Sequence, residues 1–260
     1  MTTQHAADRA INRPITWQTH NQPAGHVVQA HTHDEAQLLY PQGGVMTVET
    51  KRGLWVVPSH RAVWIPPNET HAVMSTTTLN LHSLKFDTRR ITGLPTDLTV
   101  LAVPALLREL ILALENRPTD YDKTGPDGRL LAVILDHLRA LEQIPLHLPY
   151  PASPRLTVVA EQLSSAPGDT RSSDAWAAAA NMSARTFARH FQRETGMTFG
   201  QWRQQARLLA ALQHLAAGDS IAAIAAELGY ESQSAFIAMF RKSLGTTPGR
   251  YFAERDADAA

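Results

Sequence analysis

The last third of the chain repeats itself. Phe187, Phe191, Gly196, Thr198, Gly200 and Trp202 recur 49 residues later as Phe236, Phe240, Gly245, Thr247, Gly249 and Tyr251. A fixed period of this length marks one structural unit used twice. The two phenylalanines of each copy are spaced i, i+4, so they share a helix face and belong to a core. The glycine after each pair suits the left-handed residue that closes a helix.

Each pair follows a short helix and a tight turn. In the second copy Ile221, Ile224, Ala225 and Leu228 form an amphipathic stripe, Gly229 follows, and a new helix is expected near Glu231 and Ser232. In the first copy Trp176, Ala177 and Ala180 form the stripe, with Asn181 in the turn. Asparagine tolerates positive φ better than most residues, and Ser183 is suited to cap the next helix. Both copies thus read as helix-turn-helix units, at about residues 174–195 and 221–244. The helical pattern at 199–217 predicts one connecting helix, roughly 28 Å long at 1.5 Å per residue. That is close to the roughly 34 Å between successive major-groove faces of a duplex, so one chain could present two helices to one side of DNA.

The rest of the chain is built differently. The first 90 residues read as β structure, with the runs Val45 to Val48, Leu54 to Val57 and Ala62 to Ile65 separated by Gly and Pro. Two helical stripes follow, Val103, Leu106, Leu107, Leu110, Ile111 and Leu114, then Leu131, Ile134, Leu135, Leu138 and Leu141, with a break at Gly125-Pro126-Asp127-Gly128. The four prolines of IPLHLPYPASP read as a linker. The divisions expected are 1–92 (β domain), 93–144 (helical pair), 145–154 (linker) and 155–255 (helical domain).

Bulk composition excludes more than it assigns. There are no cysteines, so neither disulfides nor thiolate metal sites arise. MTTQHAADRAINRP lacks the apolar core of a signal peptide, and no apolar run nears the roughly 20 residues that span a bilayer. A cytoplasmic protein without membrane contact is expected. The 24 basic and 24 acidic residues cancel, so affinity for nucleic acid depends on where the arginines sit.

The segments SARTFARHFQRETGMTFGQW and IAAIAAELGYESQSAFIAMFRKSLGTTPGRYF resemble the AraC-type DNA-binding domain over residues 155–252. AVWIPPNETH and the PASPRL boundary resemble a subgroup that carries a small N-terminal cupin domain and includes a regulator of nitroimidazole resistance. The resemblance implies a multidomain α+β protein. Its parts would be a cupin-like β-barrel with two following helices, which tip towards a homodimer through the stripe of Leu131, Ile134, Leu135 and Leu138, and an all-α domain with two helix-turn-helix units. The implied partners are double-stranded DNA, a small-molecule effector and RNA polymerase.

Helical spacing names the residues that face DNA. With Phe187 and Phe191 inward, Arg185, Arg189 and Gln192 turn outward from the cap at Ser183, flanked by Thr186 and Arg193. Arginine forks onto guanine O6 and N7 or pairs with phosphate. In the second unit the outward set is Ser234, Ala238 and Arg241, with Ser232, Gln233 and Ala235 near the start and Lys242 on the flank. Its alanines offer little hydrogen bonding. The first unit is therefore expected to carry base discrimination and the second to hold phosphates.

Gly25-x5-His31-x-His33-x3-Gln37-x6-Gly44 resembles the first cupin motif, with Gln37 where metal-binding members carry Glu. Pro66-x-Asn68-x2-His71 resembles part of the second. The resemblance brings His31, His33, Gln37 and His71 together. They form a site for a divalent metal, since imidazole accepts several, a polar lining for an effector, or satisfied core histidines. Trp55, Trp64, Tyr40 and Phe86 read as core or as pocket walls. The expected function is a DNA-binding transcriptional regulator that answers to a small effector or metal, and not an enzyme. The rival is a metal-dependent cupin enzyme fused to a DNA-binding domain.

Overall fold

The computed structural model describes residues 13–256, with side chains to Phe252. The signal-peptide reading of the N-terminus rests mainly on residues outside that span. The chain divides into two compact units. One takes the chain up to Gly44 and then Ser59–Pro145; the other takes Val45–Pro58 and Leu146 onward.

The first unit is centred on a six-stranded antiparallel sheet. Its strands are β1 (Ile15–Gln22), β3 (Ala36–Gln42), β6 (Arg61–Ile65), β8 (Leu79–Phe86), β9 (Thr99–Ala102) and β10 (Gln143–Ile144), in the order β1-β8-β3-β6-β9-β10. β3 is buried at every position but its last, as a strand covered on both faces must be, and Leu38 to Pro41 form an unbroken apolar run rather than an alternation, with Gln37 the buried polar exception. β2 (Val27–His31) pairs with β7 (His71–Ser75), placing His31 directly opposite His71. The six-stranded sheet ends on β1 and on the two-residue β10. No closed barrel forms among the described residues, and the barrel expectation narrows to a β-rich domain of open sheets.

Two helices pack on one face of that sheet, α1 (Ala105–Leu112) and α2 (Pro126–Arg139). The Gly-Pro-Asp-Gly break lies where α2 begins, with Gly125 as its N-cap. Pro126 occupies the first turn, where a missing N–H removes no helical hydrogen bond. Leu107, Ile111, Leu131, Ile134 and Leu138 close over Trp17, Leu38, Tyr40, Trp64, Leu84 and Phe86. The leucine stripe read as a dimer contact is therefore the chain's own core: Leu131, Ile134 and Leu138 are at most 2% exposed. A stripe tells that a face is covered, not by which molecule. The aromatic residues Trp55, Trp64, Tyr40 and Phe86 are likewise core.

In the second unit β4 (Val45–Thr50), β5 (Gly53–Pro58) and β11 (His147–Pro149) form a three-stranded ladder. The stretch read as a linker thus contains paired strand, its Pro149 tolerated because β11 is an edge. The helices are α3 (Pro154–Ser165), α4 (Ser173–Ala179), α5 (Ala184–Thr195), α6 (Phe199–Ala217), α7 (Ile221–Glu227), α8 (Gln233–Leu244) and α9 (Pro248–Asp256). α6 has the bounds the sequence suggested and opens with a capping box between Thr198 and Gln201. Its Trp202 indole donates to the Pro149 carbonyl at 2.7 Å, and Gln205 donates to that of His147 at 3.2 Å. No helix of the described residues is long and apolar enough to cross a membrane.

Candidate DNA interface and ligand site

The two copies of the repeat fold alike. Asn181 turns between α4 and α5 with φ 53°, and Gly229 turns between α7 and α8 with φ 71°. Ser183 caps α5 by accepting from Thr186 N at 3.3 Å, and Ser232 caps α8 by accepting from Ala235 N at 3.2 Å. Gly196 and Gly245 close the two helices at φ 73° and 76°. Left-handed φ at these glycines costs little because no Cβ is present.

The phenylalanine pairs lie inward in both units. Phe187 and Phe191 are fully buried, 5.6 Å apart, and meet Phe199 edge-on at 4.9 and 5.2 Å. Phe236 and Phe240 are fully buried 5.9 Å apart, with Tyr251 against Phe240 at 5.5 Å. Edge-to-face contacts of this kind add to the burial itself. With those faces fixed, Arg185, Arg189, Gln192 and Arg193 are exposed, and Thr186 is half-buried. On α8 Gln233, Ser234, Ala238, Arg241 and Lys242 are exposed.

The outward face of α5 is basic. No acidic residue lies between 184 and 193, and Glu194 is engaged by Ser153 N at 2.9 Å and by Arg193 at 3.2 Å. The Ser153 N–H and the Arg193 guanidinium hold the Glu194 carboxyl below its ordinary range against the opposing effect of burial. Ser183 and Ser232 are both occupied as caps, and Ser183 also donates to Thr186 Oγ1 at 2.9 Å. The outward arginines Arg185 and Arg189 have no carboxylate partner among the described residues.

Nothing in the sequence marks the work done by Arg203 and Arg207 on α6. With Gly200, Gln204, Tyr230 and Lys242 they line a cleft of about 520 Å³ between α6 and α8. Their only local signal is an i, i+4 arginine pair, since their partners are backbone carbonyls far away in the chain.

In the N-terminal compact unit the histidines expected at the ligand site lie together. His31 and His71 face each other across β2 and β7, and His33 follows β2. Their ring centroids are 4.4 to 5.8 Å apart, and one ring nitrogen of each lies within 4.8 Å of the other two. Each Nδ1 faces a backbone carbonyl: His31 with Gln29 at 2.9 Å, His33 with Glu35 at 2.7 Å, and His71 with Glu69 at 2.8 Å. A proton held on Nδ1 in this way leaves Nε2 with its lone pair, the second-shell arrangement of metal-ligating imidazoles. Asn68 adopts φ 62° and donates its N–H to the His33 carbonyl at 2.8 Å, which explains why asparagine serves where cupins favour glycine.

Gln37 belongs to the same cluster. Its Oε1 lies 3.0 Å from His33 Nε2, and its Nε2 donates to Ser83 Oγ at 2.8 Å. With the amide in this orientation and the proton on His33 Nδ1, two acceptor atoms face each other, a conflict that a turned Gln37 amide, a second ring proton or a shared metal cation resolves. His71 Nε2 is buried without a hydrogen-bonding partner among the described residues. Burial lowers the His71 pKa to about 4, with His31 and His33 adding to the effect and the Glu69 carbonyl opposing it, so the ring is neutral near pH 7 and competent as a ligand. Three imidazoles and an amide fit a divalent cation of the zinc, nickel, iron or manganese kind.

Comparison with known proteins agrees with both halves. A helix-turn-helix domain family matches residues 176–254, and an AraC-like ligand binding domain family matches residues 19–183. The chain is 40% identical over 223 residues to the HTH-type transcriptional regulator NimR of Escherichia coli, covering 86% of this chain and 81% of that protein. It is 35% identical over 103 residues to the HTH-type transcriptional regulator RipA of Corynebacterium glutamicum, covering 40% of this chain and 31% of RipA. The DNA-binding domain of AdpA, solved in complex with a target DNA, is 33% identical over 41% of this chain and 96% of that one, with a TM-score of 0.38.

Proposed function

The chain belongs to the AraC-type family of helix-turn-helix transcriptional regulators with a ligand-binding N-terminal domain, and on that premise we propose that it is a cytoplasmic, sequence-specific regulator whose DNA affinity answers to a ligand held by His31, His33, Gln37 and His71. The observation that carries the DNA reading is the outward pair Arg185 and Arg189, without a carboxylate partner among the described residues, on a helix anchored by Phe187 and Phe191. Arg185 and Arg189 read base edges, with Gln192, Thr186 and Arg193 beside them. Arg241 and Lys242 hold phosphates, with Gln233, Ser234 and Ala238 nearer the groove and RNA polymerase a further partner.

In the ligand site the four neutral donors would hold a divalent metal, which when bound supplies a positive centre to an otherwise uncharged cluster. His71 and His33 contribute lone pairs oriented by their Nδ1 partners, and Ser83 orients the Gln37 amide. We read this domain as a sensor rather than an enzyme, because Gln37 replaces the anionic ligand of metal-binding cupins and the relatives are named as regulators. A homodimer built on the helical pair has Leu106 and Val133 to use, at 57% and 43% exposed.

The test is footprinting of the full chain on its own upstream DNA, with and without metal, beside elemental analysis of protein from a metal-supplemented culture. Stoichiometric metal that is lost in His71→Ala, together with a footprint that changes on chelation, supports the reading. Metal-free protein removes the metal and leaves a polar effector pocket. A chain that protects no duplex at low salt ends the regulator reading.

A further inference from the structure

Two helix-turn-helix units can read one duplex only if the angle and offset between them are fixed, and α6 by itself fixes only their distance. Residues 166–172, which lead from α3 into the first unit, reach across to the second. A Cβ on Gly168 would overlap the carbonyl oxygen of Glu227, and one on Gly229 would lie 2.5 Å from the Gly168 carbonyl oxygen. The loop and the α7–α8 turn therefore meet backbone to backbone, a contact that no side chain could enter.

The loop is held from three directions. Arg203 donates to the Arg171 carbonyl at 2.9 Å and also to that of Asp169, and Arg207 donates to the Pro167 carbonyl at 3.0 Å. The Arg171 guanidinium lies 3.6 Å over the Trp176 ring of α4, and Asp169 braces Arg171 at 2.9 Å. Ser172 caps α4 by accepting from Ala175 N at 3.2 Å. On the far side Arg207 sits 5.4 Å over the Tyr230 ring, and Tyr230 packs on Phe236 of α8 at 5.6 Å. One continuous set of contacts runs from the first unit to the second recognition helix through this loop, with Arg203 and Arg207 of α6 bracing it.

From this geometry we infer that Gly168, clamped by Arg203 and Arg207 against Gly229, is a positioning residue that sets the register between the two DNA-reading helices and so selects the spacing of the two DNA segments. The inference rests on both units reading DNA. Wild-type protein that binds no duplex would sink that reading rather than this one.

The test uses the full chain and a duplex selected by it from random sequence, with one base pair inserted or removed between the two protected segments, and with one segment scrambled. Wild-type affinity should fall on the order of tenfold for either spacing change. Gly168→Ala should lose on the order of tenfold on the parent duplex, bind all three spacings alike or prefer a shifted one, and match wild type on the duplex that keeps only the first unit's segment. A folded Gly168→Ala protein with the wild-type spacing profile overturns the inference, as does an equal loss on one-segment and two-segment DNA. If Gly168→Ala fails to fold by circular dichroism, Arg207→Ala, which inserts no atom, is read in the same way. Collapse of both variants counts against the inference, since the contact would then serve folding and not register.

Discussion

The two helix-turn-helix units share a frame and differ in what they put on it. Both have a serine cap, a buried phenylalanine pair and a left-handed glycine at the end. The first packs four aromatic rings together, Phe187, Phe191, Phe199 and Trp202, while the second sets Phe236 and Phe240 against Tyr230 and Tyr251. The first projects Arg185 and Arg189 from the start and middle of its helix, whereas the second has alanine at 235 and 238 and keeps its cations, Arg241 and Lys242, in the last turn. Cations at a helix C-terminus are favoured by the helix dipole, so their placement is cheap for the protein and suits phosphates at the groove edge. On the proposed roles, one duplicated frame carries a base-reading helix and a phosphate-holding helix.

The largest effect should come from the shared frame itself. Phe191→Ala leaves a cavity among three rings and should cost about 5 kcal/mol, and Phe240→Ala about 3 kcal/mol. Amide hydrogen exchange checks this unit by unit, because each variant should lower the opening free energy of its own helices first. Equal losses spread over both units would show that the two copies open together. Next in size is the split of roles. Arg189→Ala should relax base preference at one position by about 1–3 kcal/mol, and Arg241→Ala should weaken all duplexes alike while reducing the salt slope by about 1. Binding-site selection at two ionic strengths measures both. Stricter base preference under the second unit than under the first would reverse the assignment.

The sequence carried the duplicated frame because periodic phenylalanines and turn residues are local signals. Asn181 and Ser183 could be read as turn and cap from their neighbours alone, and both hold those places. The histidine cluster was legible for another reason: His31, His33 and Gln37 are close in sequence, and a motif supplied His71. What escaped depends on distant partners. Arg203 and Arg207 find their carbonyls 32 to 40 residues away, and nothing at those positions announces it. β11 lies in a proline-rich stretch and is a strand only because β5 offers an edge. The stripe on α2 marks a covered face, but periodicity is silent on whether the cover is the chain's own sheet or a second copy, and here it is the sheet.

The smallest predicted difference is also the one that probes the caps most closely. An N-cap serine replaced by alanine typically costs about 1 kcal/mol. Ser232 makes one cap bond, to Ala235 N, from a backbone near φ −155°. Ser183 accepts from Thr186 N and also donates to Thr186 Oγ1, so its hydroxyl is satisfied in both directions and its rotamer is fixed. Ser183→Ala should therefore exceed Ser232→Ala by about 0.5 kcal/mol, and Thr186→Val should remove most of the excess by leaving the cap with one bond. Helix-resolved hydrogen exchange on the two single variants and on the Ser183–Thr186 double variant supplies the cycle. If the two serines cost the same and the cycle shows no coupling, the Thr186 hydroxyl contributes nothing to α5, and that hydroxyl is then available to a phosphate at the start of that helix.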